Sequence, residues 1–195
     1  IGVSPGRGSY SLGIEASRML YKSRMALAEY FGINEPNVVF TKNSTEAINL
    51  FFRGYLKKGD HVVISSYEHN AVLRPLEEMK IEGLIEYSVV DRDDLDKNTD
   101  YLINKYIKNN TKLLAFTLAS NLTGRIVFRR DLFCAVSQRG IKSFVDASQG
   151  AGKIRLDMIK DNIDYLAFTG HKDLHGFPGV GGLCSREELS IKPLI

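Results

Sequence analysis

A chain of 195 residues, 44% hydrophobic and 25% charged, is long enough to bury one sizeable core and has the composition of an ordinary globular protein rather than a fibrous or disordered one. A net charge of +3 argues for neither a nucleic-acid nor a membrane partner, and no apolar run approaches the roughly 20 residues of a bilayer span. The opening residues, IGVSPGRGSY, lack the charged and apolar regions of a signal peptide, so cytoplasm is the expected compartment; they also lack a Met, as expected of a chain processed or cut from a longer one.

Residues 13–31 read as a helix with Ala16, Met19, Leu20, Ser23, Leu27 and Phe31 on one face and Gly32 as its stop. NVVFT (37–41) reads as a buried strand, and STEAINLFFRGY (44–55) as a helix with Ala47, Ile48, Phe51, Phe52 and Tyr55 on its apolar side. HVVIS (61–65) is a strand, 70–80 a helix despite Pro75, and IEYSVV (85–90) a strand. The acidic run DRDDLDKNTD (91–100) has Asp96 and Leu102 where a calcium loop needs Gly and Glu, so it is expected to be a solvated loop. A helix at 99–109, a strand at 112–119, a helix at 130–140, and strands at 142–147, 165–170 and 181–185 complete the order. Short apolar runs alternating with helices predict a three-layer α/β/α fold around a mostly parallel mixed sheet. Cys134 and Cys184 form no metal or disulfide pattern and are expected as buried structural thiols.

In such a sheet ligands gather beyond the carboxyl ends of the strands, so the residues just past each strand carry the functional information. After the first strand, Asn43 and Glu46 have the spacing of a capping box; the same helix start, with the hydroxyls of Ser44 and Thr45, would also suit a phosphate. The next strand ends lead to His69, to Asn121, to Asp146 with Gln149 three residues on, and to Thr169, His171 and Lys172. Asp146 ends an apolar strand and must find a partner, either a helix cap or a cationic ligand nitrogen. In HKDLH, His171 and His175 could ligate a metal if helical, but Gly170, Gly176 and Pro178 oppose a helix there. Together the strand ends supply a phosphate cradle, a flat ring, amides, a carboxylate and a lysine. That set suits a flat, phosphorylated pyridine aldehyde.

The stretches SPGRGSYSLGIEASR, VVFTKNSTEAINL, EHNAVLRPLE, ASNLTG, FVDASQGAG and LAFTGHKDLHGFPGVGGL, in this order, resemble the class V aminotransferases, and among them the cysteine desulfurase-like branch. The resemblance implies that residues 1–195 form the large, cofactor-binding domain of an enzyme that depends on pyridoxal 5'-phosphate (PLP), with a C-terminal small domain absent. It implies Lys172 as the Schiff-base residue and general base, Asp146 as partner of the pyridine nitrogen, and Gln149 and Asn121 near the ring's phenolic oxygen. His69 would stack on the ring, and Ser44, Thr45, Thr169 and His171 would hold the phosphate. Arg7 would lie near the interface of a homodimer. The implied reaction removes sulfur from L-cysteine, giving alanine and an enzyme-bound persulfide that a sulfur-acceptor protein could take. A selenocysteine lyase, an aminotransferase, or a PLP-binding fragment without turnover remain open. Neither Cys134 nor Cys184 matches the family's sulfur-accepting cysteine.

Overall fold

The computed structural model describes residues 2–6 and 10–192; Arg7 lies outside them. The elements are α1 (Ser11–Phe31), β1 (Val38–Thr41), α2 (Ser44–Tyr55), β2 (Asp60–Ser65), α3 (Asn70–Ile81) and β3 (Ile85–Val90). They continue with α4 (Thr99–Tyr106), β4 (Thr111–Thr117), α5 (Arg130–Ser137), β5 (Lys142–Asp146), β6 (Tyr165–Thr169) and β7 (Gly181–Ser185). The seven strands form one sheet in the order β1-β7-β6-β5-β4-β2-β3, in which β7 runs antiparallel to both of its neighbours and the remaining pairings are parallel. The carboxyl ends of β1, β2, β4, β5 and β6 therefore share one edge.

Alternation along each strand sends successive side chains to opposite faces. Val62, Ile64, Leu113, Ala115, Phe144, Ala167 and Leu183 meet α2 and α3 on one face. Val63, Leu114, Phe116, Val145, Leu166 and Phe168 meet α4, α5 and the end of α1 on the other. The predicted three layers are therefore present. Phe51 of α2 anchors the first face, with its ring stacked 4.9 Å from Phe144 and tilted against Tyr165 at 4.3 Å.

Several boundaries and faces depart from expectation. Only the C-terminal end of α1 docks on the core, through Ala28 and Phe31, whereas Met19 is 56% exposed and Ser23 is also exposed. The predicted apolar face of α1 is thus only partly covered, with Ala16, Leu20 and Leu27 half-buried and Phe31 buried, while Gly32 does end the helix in the left-handed conformation at φ 71°. α4 stops at Tyr106 rather than residue 109, because Ile107 is extended and the Lys108 N–H is taken by Thr111 Oγ1 at 2.7 Å. α5 stops at Ser137 rather than 140, closed by Ile141 N–H donating to Val136 O at 3.1 Å around Gly140 at φ 72°. The acidic loop is not wholly solvated either. Asp94 and Leu95 are buried, and Asp94 accepts from the Tyr106 hydroxyl at 2.6 Å and pairs with Lys105 at 2.5 Å, which holds its carboxyl below the usual range. Cys184 is buried and burial pushes its thiol pKa up; Cys134 is only half-buried.

His61 is enclosed at the opposite edge of the sheet, between Thr111 Oγ1 at 2.8 Å and Ser88 Oγ at 2.9 Å. Burial first, and the Lys108 charge second, push its pKa down from 6.5 to about 4. The unfolded chain then binds one more proton than the native one between these values. Stability falls as pH drops from 6.5 to 4, by at most about 1.4 kcal/mol per pH unit. Urea unfolding across that window should show this component in the wild type and lose it in His61→Gln; equal pH slopes in the two proteins would contradict it.

Candidate active site

The carboxyl edge of the sheet opens into a cleft of about 250 Å³. All nine residues singled out from the sequence, Ser44, Thr45, His69, Asn121, Asp146, Gln149, Thr169, His171 and Lys172, line it. They come from five strand ends and the turns beyond them, so the topology alone is what gathers them.

The first wall is the N-terminus of α2. Asn43 caps it, its Oδ1 accepting the Glu46 N–H at 2.9 Å. Glu46 reaches back, but to the Lys42 N–H at 2.6 Å, one residue before the position of a capping box. The first intrahelical bond runs from Ala47 to Asn43, leaving the N–H groups of Ser44 and Thr45 at the helix's positive end. This approach depends on Gly181. A Cβ there would lie 2.6 Å from the Asn43 backbone and 2.7 Å from Phe168 O, both rigid. Gly181→Ala should therefore push the start of α2 away from β7. The expected result is phosphate or phosphorylated-ligand affinity lowered by about tenfold or more in a titration, with the fold retained by circular dichroism.

His69 caps α3, its Nδ1 accepting the Ala71 N–H at 3.1 Å. That bond fixes the ring and, in the neutral form, places the proton on Nε2. The ring is otherwise exposed to the cleft. Thr169 Oγ1 and His171 Nδ1 are 3.1 Å apart, so the two side chains are held together beyond β6.

Asp146 ends β5 and is 3% exposed. Its Oδ1 accepts the Ser148 N–H at 2.9 Å and the Ser148 hydroxyl. Ser148, Thr117 and Ala119 also line the cleft, and sequence reasoning missed all three. The Asp-x-Ser spacing is a turn signal that would have found Ser148. Asp146 forms no salt bridge among the described residues. Asp164, equally buried, pairs with Lys142 at 3.0 Å and Arg186 at 2.7 Å. An unpaired buried carboxylate facing a cleft is matched to a cationic ligand atom.

Lys172 lies in the loop between β6 and β7. Gly170 N–H donates to Val180 O at 2.8 Å, Gly176 N–H to Gly170 O at 2.7 Å, and His175 N–H to Lys172 O at 2.9 Å, so the loop is tightly pinned. Lys142 and Lys153 are engaged in ion pairs, whereas Lys172 is in none among the described residues. The segment is turns rather than helix, with His175 at φ 55°, so His171 and His175 do not share a helical face, and Asp173 is committed to Lys153 at 2.8 Å.

Residues 2–193 match the family Aminotransferase class-V, and the chain belongs to it. Its relatives are cysteine desulfurases. The chain is 32% identical over 193 residues to a probable cysteine desulfurase of Methanothermobacter thermautotrophicus, covering 97% of this chain and 48% of that protein. The apo cysteine desulfurase of Thermococcus onnurineus NA1 superposes with a TM-score of 0.90 at 32% identity, over 100% of this chain and 50% of that one. A variant of the enzyme C-DES, with glycine covalently linked to its PLP cofactor, gives a TM-score of 0.83 at 26% identity, over 96% and 51% of the two chains. The chain thus spans about half the length of the relatives it matches.

Proposed function

We propose that this chain is the cofactor-binding half of a PLP-dependent cysteine desulfurase-like enzyme that takes sulfur from L-cysteine and leaves alanine. The observation that carries the reading is Asp146: a buried carboxylate without a cation of its own among the described residues, in one cleft with the unpaired amine of Lys172. The donor set fits the cofactor at each end. A helix N-terminus with Ser44, Thr45, Thr169 and His171 suits a phosphate, and Asp146 suits a protonated pyridine nitrogen. PLP, when bound, supplies an aldehyde that condenses with amines and a ring that draws electrons from a substrate carbon.

The chain's own residues do the rest. Lys172 Nζ would hold the cofactor through its aldehyde and is the group placed to move the proton at the substrate's α-carbon. Asp146 keeps a proton on the ring nitrogen, and Ser148 keeps Asp146 in place. His69, held by its bond to Ala71, would cover one face of the ring. The amides of Gln149 and Asn121, which line the cleft, would donate to the ring's phenolic oxygen. Neither Cys134 nor Cys184 lines the cleft, so the cysteine that accepts sulfur as a persulfide is neither of these. The reading includes a homodimer, a sulfur-acceptor protein and a cytoplasmic setting; a monomer by light scattering would count against the first. Among the described residues no helix is long and apolar enough to cross a membrane.

The test adds PLP to the protein and records its visible absorption, then supplies L-cysteine and measures sulfide and alanine. The position of Cys134 and Cys184 outside the cleft favours a second reading, a PLP-binding unit without turnover of its own. Release of sulfide or alanine by this chain eliminates it. Turnover of selenocysteine, or amino transfer, in preference to cysteine desulfuration would place the protein in another branch of the same family.

A further inference from the structure

One buried acid beside the cleft has no part in the chemistry above. Glu68 ends the turn between β2 and α3, directly before His69, and is 8% exposed. Its Oε1 accepts the Ser65 hydroxyl at 2.5 Å and the backbone N–H of Thr117 at 2.7 Å, while Oε2 is buried without a hydrogen-bond partner among the described residues. β2 and β4 pair from His61 with Thr111 to Ile64 with Ala115. The β2–β4 pairing ends there, and the Thr117 N–H donates to Glu68 rather than to a residue of β2. The Glu68 carboxyl supplies the acceptor the sheet no longer provides. Thr117 in turn is the register partner of Asp146, and both line the cleft.

We propose that Glu68 is a positioning residue of the cleft, a carboxyl that ties the turn carrying His69 to the end of β4 beside Asp146. This rests on the reading of the cleft as a PLP site. Glu68 does its work uncharged. Burial pushes its pKa up to about 8; the bonds from Ser65 and Thr117 oppose the rise, and the Asp146 carboxylate, the charged group that faces it from the neighbouring strands, adds to it. A neutral Glu68 accepts both bonds without setting a second anion beside Asp146. An ionised one would repel the carboxylate that the cofactor needs.

The experiment begins on the protein without cofactor. The Glu68 side-chain carboxyl ¹³C signal, assigned by its loss in Glu68→Gln, should titrate near pH 8. The His69 ring and Ala71 amide signals should stay in place in Glu68→Gln, which keeps the Oε1 acceptor and the neutral charge, and move in Glu68→Leu, which keeps bulk and loses the acceptor. A titration midpoint below about 6, or His69 and Ala71 signals unmoved in Glu68→Leu, overturns the proposal. With PLP bound, Glu68→Leu should lower affinity about tenfold and change the visible circular dichroism, and Glu68→Gln should do neither. If Glu68→Leu does not fold, the wild type answers. Its His69 and Ala71 signals should shift as pH rises from about 7 to about 9.5 while those of Glu68→Gln do not, and identical behaviour of the two sinks the idea. Failure of the wild type to bind PLP would defeat the reading of the cleft, while the cofactor-free measurements would still decide the role of Glu68.

Discussion

Lys172→Ala should abolish covalent capture of PLP. The variant should bind the cofactor through its phosphate and ring contacts, show none of the visible absorption of the lysine-bound form, and lose PLP on gel filtration while the wild type keeps it. A large loss is expected because, in the role proposed, one amine serves twice, as nucleophile toward the aldehyde and as the group that moves the α-proton. The second task alone is worth about 10²- to 10⁴-fold in rate. The proposed turnover of L-cysteine should fall by about 10⁴-fold or more once both are removed. Structure adds a reason to expect a clean effect. Lys172 makes no ion pair among the described residues, so its removal strands no buried partner, and the pins of its loop are backbone bonds that alanine keeps. A variant that retains the wild-type spectrum would reassign the lysine.

Asp146→Ala should separate chemistry from retention. Deleting a preorganised charge that acts on the reacting system typically costs about 10²- to 10³-fold in rate. On the proposed reading cofactor affinity rests mainly on the phosphate cradle at α2 and on Lys172, so the variant should still hold PLP and turn over poorly. Equal losses in both would contradict the role. Asp146→Asn sharpens the comparison, since the amide oxygen can accept the Ser148 bonds but cannot balance a positive ring nitrogen. It should resemble Asp146→Ala in rate and the wild type in stability, as read by thermal unfolding.

Much of this arrangement is legible in the residues. Apolar strands alternating with helices imply the layers, and each candidate side chain lies within a few residues of a strand's carboxyl end. Tertiary context decided the rest. The apolar residues of α1, such as Met19, have the spacing of a buried face, yet only its last turns reach the sheet, and spacing does not say how far a helix extends past its support. The ends of α4 and α5 are set by backbone donors taken by Thr111 Oγ1 and Val136 O, bonds that depend on where the next strand begins. Asp94 looks like one more charge in a polar run; two tyrosines and a lysine from α4 fold over it. Glu68 is hidden for a related reason. It precedes a histidine that draws the eye, and its bond to Thr117 spans 49 residues of sequence, beyond the reach of any local pattern. The reversed direction of β7 is likewise not foreseeable from composition, although its two leading glycines mark a strand squeezed between neighbours.

That reversal has a mechanical meaning for the lysine. Thr169 and Gly181 are register partners, so the loop between them is an arch whose two feet stand on adjacent strands and are bonded to each other. Lys172 belongs to a foot, clamped where Gly176 returns to Gly170, whereas Phe177, 85% exposed, belongs to the crown. An arch with joined feet carries no load through its top. Chain scission or added length near Phe177 should leave the Lys172 amine where it is, and the crown is free to vary, or to meet another surface, without disturbing the cleft below.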